Sequence, residues 1–198
     1  SQDKAEKPPR LSRQAPAIQE KKTDKPSYPI LNQVFKSGLN QDQLKTLGEH
    51  PTAEQQVAAM TPEQKINVRQ GLREVEAKAK TPEDFEQIAR GYLILDEHQE
   101  GAGQNAVRAA SRLQELEPKS SEGFSLAAGG YYQMNDFPAA ARAAKEALRR
   151  NPEDPNAITL LALSRDRVAG RNIESRAIEK AFSFTRRDDP NLPIKLPV

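Results

Sequence analysis

The side chains with the clearest chemical potential are two histidines, His50 and His98, the latter in the run DEH at 96–98 where Asp96 and Glu97 add carboxylates. Three such groups in a row resemble a metal-ligating cluster, and GAG at 101–103 has the glycines of a phosphate loop. Each chemistry needs a setting that is missing here. A helical metal site spaces its ligands by a turn, and a phosphate loop sits between a strand and a helix. His50 precedes Pro51 in a turn, DEH reads as solvated loop, and the other acids spread over helix surfaces as solvated faces. The chain has no cysteine, which removes disulfides, thiol catalysis and cysteine-based zinc sites. No catalytic residue, metal site or cofactor is expected.

The elements that would carry any site must be helical, because no strand alternation occurs. Among the 198 residues, 36% are hydrophobic and 29% charged, with 15 prolines and no tryptophan, room for one ordinary domain plus extras or for two small ones. Residues 1–29 read as a disordered polar tail: over 1–28, seven basic residues face four acidic ones, and Leu11 and Ile18 are the only aliphatics larger than alanine. The net charge of +2 points to no polyanionic partner, so nucleic acid is not expected. Arg149-Arg150 and Arg186-Arg187 lie near expected helix C-termini, where cations suit the helix dipole. No apolar run reaches transmembrane length. A chain opening on Ser is expected to be a processed or trimmed product, cytoplasmic, or periplasmic or secreted if a signal peptide was removed.

From Ile30 the pattern turns amphipathic. Ile30, Leu31, Val34, Phe35, Leu39, Leu44 and Leu47, with Gly38 and Gly48 as stops, predict two short helices. After PTAEQQVAAM, Thr61 can cap a helix with Pro62 at its first position, and Ile66, Val68, Leu72, Val75 and Ala79 form its apolar stripe. Residues 30–80 are expected to act as an N-terminal helical cap.

At Thr81 the Thr-Pro device recurs and the chain becomes self-similar, Pro118 and Pro152 standing 34 residues apart. Phe124, Ala127, Ala128, Tyr131, Ala140, Ala144, Ala147 and Pro152 form one unit. Phe85, Ile88, Ala89, Tyr92, Ala106, Ala110, Leu113 and Pro118 form the preceding one, its turn about five residues longer because of LDEHQEGAGQN. A third is degenerate: Ile158, Leu161, Ala162, Gly170, Ala177, Ala181, Phe184 and Pro190, with Arg165 in place of an aromatic. The pattern over 82–190 resembles the tetratricopeptide family. That resemblance implies an all-α, right-handed stack of antiparallel helix hairpins over 81–190, ahead of an extended segment at 191–198.

The resemblance also implies a function: a protein-binding scaffold or adaptor without enzymatic activity, holding a partner segment in the groove lined by the first helix of each hairpin. Its positions fall on Glu86, Arg90, Leu93 and Ile94; then Glu122, Ser125, Gly129, Tyr132 and Gln133; then Asn156, Thr159, Leu163, Asp166 and Arg167. The chaperone-clamping subset carries Lys and Asn where this chain has Glu86, Arg90, Ser125 and Gly129, which argues against that role. The mixed groove suits a peptide with one apolar anchor and an acid. The alternatives are an accessory helical region of a longer secreted or membrane-attached protein, and a small helical enzyme whose sole candidate centre is Asp96, Glu97 and His98.

Overall fold

A computed structural model describes residues 28–95 and 103–170, and among them every regular element is an α-helix. Sequence expectations for 1–27, for 96–102 with its DEH run, and for 171–198 fall outside the described residues. In chain order the helices are α1 (Pro29–Ser37), α2 (Gln41–Leu47), α3 (Ala53–Ala59), α4 (Pro62–Lys78), α5 (Pro82–Leu95), α6 (Gln104–Leu116), α7 (Glu122–Gln133), α8 (Phe137–Arg150) and α9 (Pro155–Val168).

The early helices begin where a side chain replaces the missing intrahelical acceptors. Asn40, Thr52 and Thr61 each accept from the backbone N–H three residues on, and Gln43, Gln55 and Gln64 reach back to the cap N–H. Two of these capping boxes also lock onto each other. The Gln43 amide donates to Gln64 Oε1 at 2.9 Å and accepts from Gln64 Nε2 at 2.8 Å, docking the start of α2 on the start of α4. Thr81 and Asp84 cap α5 in the same reciprocal manner.

The expected stripe of α4 is only partly right. Val68 and Leu72 are buried, but Ile66 is 61% exposed. At 3.6 residues per turn, Ile66 lies about 200° around the helix from Val68, so the two cannot share a face.

From α5 to α9 each helix packs on its neighbour in sequence, and α5 touches α7 and α7 touches α9 across the helix between them. The turns joining α6 to α9 are three to five residues long, which folds successive helices back on one another. Burial repeats with the period of the sequence. Ala106, Ala110 and Leu113 of α6 are buried, as are Ala140, Ala144 and Ala147 of α8, 34 residues later. Gly123, Ser125, Leu126, Gly129 and Gly130 of α7 are likewise matched by Ala157, Thr159, Leu160, Leu163 and Ser164 of α9.

Small residues are required here because the backbones nearly touch. A Cβ on Gly130 would lie 2.7 Å from Val107 Cγ2 and 2.8 Å from the Gly103 carbonyl oxygen, while Gly103, at φ +116°, would carry one 2.1 Å from the Gly130 oxygen. Gly103, the last glycine of the GAG run, is therefore half of a tight contact between the start of α6 and α7.

The apolar side chains of α1, α3 and α4, among them Leu31, Phe35, Val57 and Leu72, join those of α5, α6 and part of α7 in one continuous core. A polar tie reinforces it. Glu76 of α4 accepts from Arg108 Nε at 2.8 Å and Nη2 at 2.7 Å on α6, and from the Tyr92 hydroxyl at 2.7 Å on α5. Burial alone would raise the Glu76 pKa, but the hydrogen bonds from Arg108 and Tyr92 outweigh it and hold the carboxyl below its usual 4.5.

Two outcomes follow. Ala144→Leu overpacks the α7–α8–α9 seam and is expected to cost about 1–3 kcal/mol in urea denaturation, with an unchanged slope. Because the folded-state pKa of Glu76 is depressed, its stabilisation is complete above the unfolded value of about 4.5 and fades as pH falls through the folded value. Glu76→Gln should therefore lower the melting temperature at neutral pH and flatten its acid decline. Asp84, lowered chiefly by the backbone N–H groups of Lys80 and Thr81, retains part of that decline.

Candidate functional site on the face of α5, α7 and α9

Since α5 touches α7 and α7 touches α9, the positions expected to line a groove come from helices in mutual contact. Three polar links join them. An ion pair connects Arg90 Nη2 of α5 to Glu122 Oε1 of α7. Gln133 Nε2, at the end of α7, donates to the Leu93 carbonyl at 2.8 Å. Ser125 donates across to Asp154 Oδ1 at 3.3 Å, and the same oxygen caps α9 by accepting from Ala157 N–H at 3.0 Å.

Arg90 is the hub of the first link. It is 8% exposed, its Nε donates to Glu86 Oε1 at 3.0 Å one turn earlier, and its guanidinium carbon lies 5.4 Å from the centre of the Tyr28 ring. Burial alone would lower its pKa, but Glu122, Tyr28 and Glu86 together raise it above the ordinary arginine value. Its charge is thus shared with two carboxylates inside the protein. The same end of α5 is tied to α1 through Gln87, whose Oε1 accepts from Ile30 N–H at 2.9 Å.

The other positions fall into two groups. Leu93, Ile94, Ser125, Gly129, Thr159 and Leu163 are buried, so they shape the floor. Glu86, Glu122, Tyr132, Gln133, Asn156 and Asp166 are half-buried and Arg167 is exposed. Tyr132 meets Phe137 edge-on with ring centres 5.3 Å apart, and the Arg167 guanidinium carbon lies 5.8 Å from the same Phe137 ring. This aromatic and cationic corner, where α7 turns into α8 beside the end of α9, holds the most accessible of the predicted positions.

Sequence reasoning missed Tyr28, Phe137 and Asp154. The signal for Asp154 was present, since an Asp directly before Pro155 has the pattern of an N-cap with proline at the first helical position. Tyr28 had none, because its partner lies far along the chain. Among the described residues no group of three or more His, Cys, Asp or Glu side chains is placed to hold a metal, His50 is exposed in the turn after α2, and no helix is long and apolar enough to cross a membrane. No protein-family model, no curated protein and no solved structure matches the chain.

Truncating Arg90 leaves Glu86 and Glu122 facing a cavity without their cation. Arg90→Ala is expected to destabilise by about 3 kcal/mol, the low end for breaking a buried pair because both carboxylates keep some exposure. Adding Glu122→Gln should recover part of the loss, measured as a double-mutant cycle in urea.

Proposed function

We propose that the chain is a tetratricopeptide-type binding module whose α5–α7–α9 face receives an extended or helical segment of a partner protein. The observation that carries this reading is the 34-residue recurrence of burial, in α6 and α8 and again in α7 and α9. That spacing is what a stack of helical hairpins requires, each burying its faces only against the next. The face between them suits recognition of a polypeptide. Its floor is made of small and aliphatic side chains, Ser125, Gly129 and Leu163, and its rim is polar and aromatic.

Within the face, Arg90 and Leu93 serve mainly to hold α5 against α7, and the contacts to a partner fall on Tyr132, Gln133 and Arg167. Tyrosine and arginine supply large contact area with directional polar ends, the residue types that dominate protein recognition.

The test is affinity capture on the full chain followed by a two-site variant. Tyr132→Ala combined with Arg167→Glu should abolish retention of a partner that the parent holds saturably, leaving the melting temperature within a few degrees. Ile66→Ala, on the exposed face of α4, should retain it. Equal capture by the double variant would refute the assignment of the face.

A further inference from the structure

Tyr28, the first described residue, already stands on the α5–α7–α9 face, its ring over Arg90 of α5. The first two N–H groups of α1, those of Ile30 and Leu31, point at Gln87 Oε1 on the same helix at 2.9 and 3.5 Å. From there α1 runs away from α7. At its start Leu31 Cδ1 lies 2.7 Å from where a Cβ on Gly91 of α5 would be, and at its end a Cβ on Gly38 would lie 2.2 Å from Val68 Cγ2 of α4. The opening of α1 is thus directed across α5 toward α7.

The ion pairs beside Tyr28 set two carboxylates, Glu86 and Glu122, against the single guanidinium of Arg90, and the two acidic side chains keep 30% and 28% of their surface exposed. One helix further on, α9 opens at its capping carboxylate Asp154, with Glu153 exposed next to it. The residues directly ahead of Tyr28 are KKTDKPS, 21–27. Lys25 precedes Pro26 and Tyr28 precedes Pro29, positions that favour extended backbone. In an extended chain Lys21, Thr23 and Lys25 share one side and Asp24 takes the other. At about 3.3 Å per residue, Lys25 reaches roughly 10 Å from Tyr28 and Lys21 roughly 23 Å, while packing at about 8–10 Å places α7 one such step from α5 and α9 two. The lysines therefore fall at the spacing of the helices that carry the acids.

We propose that residues 21–27 lie extended across the start of the α5–α7–α9 face, Lys25 engaging Glu86 and Glu122 and Lys21 the opening of α9, so that the chain carries its own occupant. The chain's direction at Tyr28 and the sign and spacing of its charges select this segment. An exposed ion pair is weak between separate molecules, but a tether of three residues holds Lys25 at an effective concentration that makes the contact intramolecular. A partner segment running the length of the face has to displace these lysines, which makes the N-terminal segment a built-in competitor. The proposal concerns the same face as the function proposed above and rests on that reading only for the packing of its three helices.

The chain has no cysteine, so Gln19→Cys gives the full chain a single attachment point for a nitroxide. In the 15N-labelled protein at low salt, the nitroxide should broaden the amides of Glu122, Gly123, Asn156 and Ala157 while leaving Gln43 on α2 and Ile66 on α4 sharp, and added salt should reduce the effect. Adding Lys21→Glu and Lys25→Glu should abolish the preference for α7 and α9 with an unchanged melting temperature. Tyr132→Ala should leave the pattern intact whatever it does to capture of a partner, which keeps this result apart from the fate of the face as a protein-binding surface. Broadening of α4 and α9 alike, or a pattern that survives both charge reversals, would overturn the proposal.

Discussion

Gly130 on α7 and Gly103 at the head of α6 meet so closely that neither tolerates a Cβ, and this contact brings the start of α6 against the backbone of α7. The alanines extend it. Ala106 and Ala110 on α6, and Ala140, Ala144 and Ala147 on α8, are buried without holding their neighbours apart. Close backbones bring many weak dispersion contacts into range, which compensates for side chains that remove little apolar area from water. The face shared by α5, α7 and α9 exists because α6 and α8 can lie this near to them.

A seam of small residues does not by itself select one register, and polar links supply that selection. Arg90 joins α5 to α7, Ser125 joins α7 to the cap of α9, Glu76 joins α4 to both α5 and α6, and the paired amides of Gln43 and Gln64 join α2 to α4. Each satisfies groups that would be costly to bury alone, so each penalises a slipped helix more than it stabilises the correct one. At the other end of α8, Arg150 has its guanidinium carbon 3.7 Å from the centre of the Phe124 ring and donates to the Pro118 carbonyl at 2.7 Å, a more specific role than a general interaction with the helix dipole.

The same economy separates the arginines into two kinds. Arg90, paired with Glu86 and Glu122, and Arg108, paired with Glu76, tie one helix to another and serve the frame, whereas Arg112 and Arg149 pair with Glu115 and Glu146 of their own helices at the surface. An arginine held by two acids is a poor receptor for a third.

Helix identity, several helix starts and the 34-residue offset between the buried positions of α6 and α8 were legible in the residues alone. Thr61 with Pro62, the stops at Gly38 and Gly48, and the spacing of Ala140, Ala144 and Ala147 act within a turn or at a constant offset, and local chemistry is enough to read them. The small helix α3, capped by Thr52 and Gln55, carried the same kind of signal and went unread in the phrase PTAEQQVAAM. Other features had no local trace. That Arg90 would be enclosed by Glu86, Glu122 and Tyr28, that Glu76 would bind Arg108 and Tyr92, and that Gly103 would press on Gly130 depend on distances between segments far apart in the chain. Spacing along a helix tells which residues share a face. Which of those residues is consumed by a neighbour, and which is left at the surface, is set when the helices come together, because charge and burial are properties of the packed assembly rather than of any one segment.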